Sequence, residues 1–240
     1  MFRSTAHIYD LLYAGIGKDY EAESAALDEL IQACLPGASS LLDVGCGTGG
    51  HLRYLSDRYN VVGVDIDEGM LAEARRHLPT ATLIEGDMRN FELGRTFDAV
   101  VCLFSSIGYM ADRDELRKAI RAMVDHLRPG GVLVVDGWVR PDKWRDSTSL
   151  HLDTASAEGM QIARISLTRR EGNKTYLEMH HLIGSQAGIE YLIDHHALTL
   201  FETDEYRSAF GDAGMVGIEV VASPMSDRDR YVGTKAVAIT

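Results

Sequence analysis

Gly45, Gly47 and Gly50, in the stretch LLDVGCGTGGHL (41–52), have the spacing of a loop that brings backbone close to a tightly held cofactor. Glycine permits that approach because it lacks a Cβ, but it does not say which cofactor approaches. Asp65 closes the next apolar run, NVVGVDI (60–66), where a carboxylate accepts both hydroxyls of a ribose. A dinucleotide and an adenosyl compound both fit that acid. Asp43 separates them: it stands two residues before Gly45, where a carboxylate at the end of a buried strand is costly unless a cation or donor meets it. The ammonium of S-adenosylmethionine would be such a partner. In EGDMRN (85–90), Asp87 is placed to take an adenine amino group, and Met88 offers a soft thioether chain to lie on the ring.

A second chemical stretch is IYDLLYAGIGKDY (8–20). Tyr9 and Tyr13 share one face of a helical turn, and Gly15 and Gly17 let the chain fold over as a lid. An aromatic face attracts a sulfonium through the ring quadrupole, and phenol hydroxyls orient a polar acceptor. His180-His181 and His195-His196 raise the question of a metal. Neighbours in a strand point to opposite faces, so each pair offers at most one ligand to a shared site; no third ligand is evident and no metal is expected.

The elements that must position these residues are legible as alternating patterns. The segment 19–34 places Leu27, Leu30, Ile31 and Cys34 on one helical stripe and ends at Pro36-Gly37. Apolar runs at 39–44, 60–66, 81–86, 97–104 and 131–138, separated by helical patterns, predict a parallel sheet between two helix layers. Pro129-Gly130-Gly131 reads as a helix terminator. From about 148 to 201 the helical period disappears, and extended stretches divided by Glu171-Gly172-Asn173 and Ser185-Gln186-Ala187-Gly188 predict an antiparallel meander. A helix near 203–213 and strands near 216–223 and 230–239 return to the main sheet. The expected units are a lid and helix (1–37), a cofactor-binding core (38–139), a β insertion (140–201) and a closing segment (202–240).

A chain of 240 residues buries a core without cross-links, and the three scattered cysteines, Cys34, Cys46 and Cys102, suit a reducing compartment. The N-terminus lacks a signal-like apolar run and no segment has the length of a membrane span, so a cytoplasmic protein is expected. A net charge of −12 disfavours a non-specific grip on nucleic acid and favours a small substrate over a polymer.

Asp43-Val44-Gly45-Cys46-Gly47-Thr48-Gly49, Asp65, Gly86-Asp87-Met88 and Pro129-Gly130-Gly131 together resemble the ordered motifs of class I S-adenosylmethionine-dependent methyltransferases. The N-terminal stretch, MRNFELGRTFDAVVCLFSSIGYM (88–110), GNKTYLEMHHLI and DHHALTLFETDEYRSAFGDAGM extend the likeness to the N,N-dimethyltransferases of dTDP-linked amino sugars in antibiotic biosynthesis. The resemblance implies a Rossmann-like α/β sheet, mostly parallel with an antiparallel last strand, carrying the β meander, and a homodimer. It implies S-adenosylmethionine held by Tyr9, Tyr20, Asp43, Gly45, Gly47, Asp65, Ile66, Asp87, Met88 and Phe104. Tyr13, Tyr109 and His180 would orient the acceptor, and Ser106, Trp138, Arg140 and Arg228 would join them against a nucleotide sugar. Two departures bear on the sugar pocket: Val139-Arg140 follows Trp138 where relatives carry a second aromatic, and aspartates flank Arg228 in SPMSDRDRYVG where relatives carry glycines. An arginine fork suits a diphosphate, although Asp227 and Asp229 equally suit a surface ion pair. The reaction implied is methylation of a neutral amine with no indispensable base. The alternatives are methylation of another small amine or hydroxyl, and cofactor binding without catalysis.

Overall fold

The computed structural model describes residues 5–145, 149–157, 159–223 and 227–237. Helix α1 (Ala6–Gly15) is followed by α2 (Tyr20–Cys34), which begins where the Asp19 side chain accepts the Ala22 N–H. Leu27 and Ile31 are buried as the stripe predicts, whereas Cys34 is exposed. The helix ends at Cys34 and the chain turns away through Leu35 and Gly37 (φ +83°), so nothing covers that last side chain.

The core then alternates as β1 (Ser40–Val44), α3 (Leu52–Leu55), β2 (Asn60–Asp65), α4 (Glu68–His77), β3 (Thr82–Glu85), β4 (Phe97–Cys102), α5 (Arg113–Asp125) and β5 (Leu127–Val139). The meander comprises β6 (Ser149–Ala157), β7 (Met160–Glu171), β8 (Lys174–Ser185) and β9 (Gly188–Thr199), after which α6 (Thr203–Asp212), β10 (Met215–Ala222) and β11 (Arg228–Lys235) close the chain. The main sheet has the order β10-β11-β5-β4-β1-β2-β3, parallel except that β11 runs antiparallel to both neighbours. This is the Rossmann-like architecture expected from the sequence, with its four-stranded antiparallel insertion.

Alternate strand residues feed two apolar layers, because successive side chains leave opposite faces of a strand. Leu42, Val44, Val100 and Val135 join residues of α5 and α6 on one face. Leu41, Ala99, Val101 and Val134 join residues of α2, α3 and α4 on the other. Pro129-Gly130-Gly131 does not end a helix. α5 has already stopped at Asp125, and the three residues lie in the irregular start of β5, where Gly130 takes φ +79°.

β1 is flanked by β2 on one side and by β4 on the other, so the chain switches direction across the sheet at this point and leaves a crevice at the strands' carboxyl ends. The meander leans on that end. Ile8 and Leu12 of α1 pack with Ala155, Ile162 and Ile183, while Leu177, Met179 and Leu198 pack with Tyr109 and Trp138. No helix among the described residues is long and apolar enough to cross a membrane.

Candidate active site

A cavity of about 1100 Å³, mouth included, opens at the carboxyl ends of β1, β2 and β4. Asp43, Gly45 and Gly47 form its floor, Asp65 and Ile66 one wall, and Asp87 and Met88 the far end. Tyr9, Tyr20 and Phe104 close over it, and Ser106 and Tyr109 line the edge next to the meander. The ten residues expected at a cofactor thus converge on one space.

The floor is acidic and short of partners. Asp43 is 2% exposed and its Oδ1 meets no donor among the described residues. Burial, with the Asp65 and Asp136 charges behind it, pushes its carboxyl up to about 8. Asp65 accepts the Gly47 N–H at 2.8 Å and the Asp67 N–H at 2.9 Å, yet burial still outweighs those bonds and raises its pKa. Gly45 takes φ +78°, and a Cβ there would stand 2.8 Å from the Ser106 Cβ, so the glycine is required by both backbone and space. An orphaned buried carboxylate beside a bare backbone loop fits a cofactor that brings an ammonium to Asp43 and hydroxyls to Asp65.

Asp87 is more committed than the sequence suggests. Arg89 donates to it through both its backbone N–H (3.0 Å) and its guanidinium, holding the Asp87 carboxyl below the usual range, and also reaches Glu115 Oε1 at 2.6 Å. Sequence reasoning passed over Arg89, although an arginine two residues after an aspartate at a strand end is a readable signal. It also missed Lys18, whose Nζ lies 2.6 Å from Glu23 and 4.0 Å from the Phe104 ring centroid. His51 meets the same carboxylate at 3.0 Å.

The acceptor candidates divide. Tyr109 lines the cavity, and its hydroxyl lies 2.7 Å from Nδ1 of His196, a residue the sequence raised only as a possible metal ligand and not at the acceptor site. Tyr13 stands behind the cavity wall, 9% exposed, edge-on to Phe104 at 5.1 Å and 4.5 Å from the Tyr9 ring. The expectation for His180 is corrected. Its side chain lies on the outer face of the meander, bonded to Tyr191 and to Glu178 Oε1 at 2.7 Å, while its neighbour His181 turns inward to Asp194 at 3.2 Å. In a strand the face alternates at every residue, so the inward histidines are His181 and His196.

The arginines also divide. Arg140 is drawn away from the cavity to Asp142 at 3.1 Å and Asp229 at 3.5 Å, which corrects its placement against a substrate. Arg228 turns inward instead, its guanidinium 4.3 Å over the Trp138 ring and donating to Ser105 Oγ at 3.0 Å. Burial lowers its pKa to about 10, so it stays charged at neutral pH. Trp138 itself donates from Nε1 to Thr175 Oγ1 at 3.0 Å and ties β5 to the meander. Of SPMSDRDRYVG, residues 224–226 lie outside the described residues.

Strand order, glycine loop and strand-end acids define a class I S-adenosylmethionine-dependent methyltransferase. A family profile described as Methyltransferase domain matches residues 41–131. The chain is 42% identical over 233 residues to the dTDP-3-amino-3,4,6-trideoxy-alpha-D-glucopyranose N,N-dimethyltransferase of Streptomyces venezuelae, covering 96% of this chain and 98% of that one. The crystal structure of Streptomyces venezuelae DesVI superposes with a TM-score of 0.92 at 42% identity, again covering 96% and 98% of the two chains. A second solved structure, S-adenosylmethionine-bound CalS10 from Micromonospora echinaspora, described as an amino pentose methyltransferase involved in calicheamicin biosynthesis, gives 0.86 at 40% identity and covers 95% and 97%. The chain belongs to the family of the dTDP-amino-sugar N,N-dimethyltransferases, and S-adenosylmethionine is its cofactor.

Proposed function

We propose that this protein transfers two methyl groups to the amino group of a dTDP-linked 3-amino-deoxyhexose. The observation that carries the reading is the extent of the likeness to the Streptomyces venezuelae enzyme: it covers 96% of the chain and so includes α1 and the meander, not only the cofactor-binding core. Fold alone would not choose an acceptor.

S-adenosylmethionine supplies a methyl group already activated on sulfur. The chain's task is to hold a neutral amine in line with that carbon and to exclude water, a matter of geometry more than of acid–base help. Asp43 receives the cofactor's ammonium, Asp65 its ribose hydroxyls, and Asp87 with Met88 its adenine. Tyr9, Tyr20, Ile66 and Phe104 cover it. On the acceptor side Tyr109 and Ser106 orient the sugar, Tyr13 steadies Phe104 from behind, and Arg228 over Trp138 receives the diphosphate. A sugar ammonium must shed a proton before it can attack; water is sufficient for this and no single base is required.

We assign the chain a lid and helix (1–37), a cofactor core (38–139), an insertion (140–201) and a closing segment (202–240). The outer face of the insertion exposes Leu150, Leu152, Ile165, Leu182 and Tyr191, an apolar surface suited to pairing with a second copy. The three free, scattered cysteines favour a cytoplasmic enzyme, and the acidic charge favours a small-molecule acceptor.

Incubation with labelled S-adenosylmethionine and a panel of dTDP-amino sugars tests the proposal. A dimethylated 3-amino product supports it. Equal methylation of a nucleotide-free amine or a hydroxyl points to another small-molecule methyltransferase, and no product from any member points to a binding protein.

A further inference from the structure

We propose that His196 is a positioning residue of the acceptor site: it accepts a hydrogen bond from the Tyr109 hydroxyl, so that the phenol oxygen faces the cavity only as an acceptor and turns the amine's lone pair toward the methyl donor. The inference deepens the amine-methyltransferase reading above and rests on it.

Tyr109 ends the short 3-10 helix Ser106–Tyr109 after β4, and its ring is wedged between the cavity and Leu177, Met179 and Leu198 of the meander. His196 comes from the far side of that wedge. It lies in β9, pairs across the sheet with Leu177, and is 4% exposed, its ring centroid 5.9 Å from that of Tyr109. Burial lowers its pKa to about 4, so the imidazole is neutral at physiological pH. Between a phenol and a neutral imidazole, the phenol is the stronger donor and the ring nitrogen the stronger acceptor, so we assign the 2.7 Å contact as O–H donating to Nδ1, with the ring proton on Nε2. A hydroxyl has one proton, and while it is engaged in the hydrogen bond to His196 the oxygen can only accept from the cavity side.

An acceptor at that position selects for N–H. A primary amine that donates one N–H to Tyr109 has its lone pair fixed in direction, and the monomethyl intermediate keeps one N–H with which to make the same bond for the second transfer. Each transfer leaves an alkylammonium that sheds a proton to water; the dimethyl product, once it has lost that proton, has no N–H and loses the anchor. His196 remains neutral throughout and is not the base; the proton leaves the ammonium for water before attack.

The test is a double-mutant cycle on kcat/KM for the dTDP-amino sugar, with Tyr109→Phe, His196→Leu, the double variant and His196→Asn, which keeps an acceptor oxygen. Tyr109→Phe and His196→Leu are each expected to lower kcat/KM by roughly 10- to 100-fold, the range for a hydrogen bond to a charged or reacting group, and the double variant is expected to fall no further. Monomethyl product is released in larger share from both single variants. His196→Asn recovers most of the loss, and adenosylhomocysteine affinity measured by calorimetry stays at the wild-type value in all four. Multiplicative losses in the double variant, or a His196→Asn variant that folds yet is as slow as His196→Leu, would overturn the proposal. If His196→Leu does not fold, the cycle is run with His196→Asn, whose small loss must vanish in the Tyr109→Phe background. A wild-type enzyme that methylates no amino sugar overturns the functional reading and this proposal together, whereas an active wild type without coupling overturns this one alone.

Discussion

The backbone N–H of Phe104 donates to Oδ2 of Asp136 at 3.2 Å, and through this bond the turn over the cofactor cavity is fastened to the interior. Phe104 and Ser105 both adopt left-handed backbone angles, φ 54° and 67°, which cost on the order of 1–3 kcal/mol at non-glycine residues unless the surroundings enforce them. The enforcement is visible. Ser105 donates to the Gly137 carbonyl at 2.6 Å and accepts from Arg228, and Asp136 is locked by Arg230 at 2.7 Å and 3.2 Å. The turn places Phe104 over the cavity and starts the short helix that carries Ser106 and Tyr109, so strands β5 and β11 fix the acceptor edge.

Removing Asp136 therefore has two consequences. Asp136 and Arg230 are 2% and 6% exposed, and an Asp136→Ala variant leaves the guanidinium buried without its carboxylate. The expected loss is about 3–5 kcal/mol in urea unfolding, with weaker binding of S-adenosylmethionine in calorimetry because the Phe104 turn loses its anchor. A loss below about 1 kcal/mol would show that the turn is held by other means.

Asp43 makes a pH prediction whose sign follows from its burial. Its carboxyl is held at about 8 in the folded protein against roughly 3.9 in the unfolded chain, so its protonated form is the one the fold favours. Its contribution to stability is complete below pH 3.9 and is lost as the pH rises toward 8, where the ionised form costs up to roughly 5 kcal/mol. Asp43→Asn is expected to stabilise the ligand-free protein at pH 9 more than at pH 5, as read from thermal melts. Binding an ammonium needs the ionised form, so wild-type affinity for S-adenosylmethionine rises with pH up to about 8 by at most roughly tenfold per pH unit, with proton release. The asparagine variant binds weakly and without that slope. A flat wild-type profile would mean that the ammonium does not sit on Asp43.

How much of this was legible in the sequence depended on how local the cause was. The cavity-lining glycine loop, Asp43, Asp65 and Asp87 were readable because each stands at or just past the carboxyl end of its own apolar strand run. The facing of the meander was not. Whether His180 or His181, His195 or His196 looks inward depends on how β8 and β9 dock against α1 and Tyr109, contacts that no local pattern records. Arg140 and Arg228 are equally opaque, since both are followed closely by aspartates. An irregularity in the pairing of β11 with β5 between Arg228 and Arg230 accompanies the inward turn of the one, while Asp142 and Asp229 hold the other outside.

Gly45→Ala tests the cradle directly. The backbone penalty at φ +78° is roughly 1–2 kcal/mol for a residue with a Cβ, and the new methyl would meet Ser106 Cβ at 2.8 Å and Oγ at 2.9 Å. Ser106 belongs to the same short helix as Tyr109, so any relief shifts the acceptor edge. The expected outcome is at least a tenfold loss of S-adenosylmethionine affinity in calorimetry together with a lower kcat. Unchanged affinity would show that the loop is not the close-approach surface.

Under the proposed function, Arg228 separates cofactor from acceptor binding. It lies outside the cofactor cavity, 6.0 Å from the Phe104 ring on the side shared with Trp138, so an anion on it would be held next to the sugar and not next to the adenosine. Arg228→Lys keeps a charge but not the planar fork that stacks on Trp138 and reaches Ser105, so it should be poorly tolerated. With the fork's paired bonds lost, KM for the dTDP-amino sugar is expected to rise roughly tenfold or more, and inhibition by free dTDP to weaken in parallel, while adenosylhomocysteine binds as before. Equal weakening of both ligands would instead mean that Arg228 acts through the strained Ser105 turn, and the diphosphate would then need a different cation.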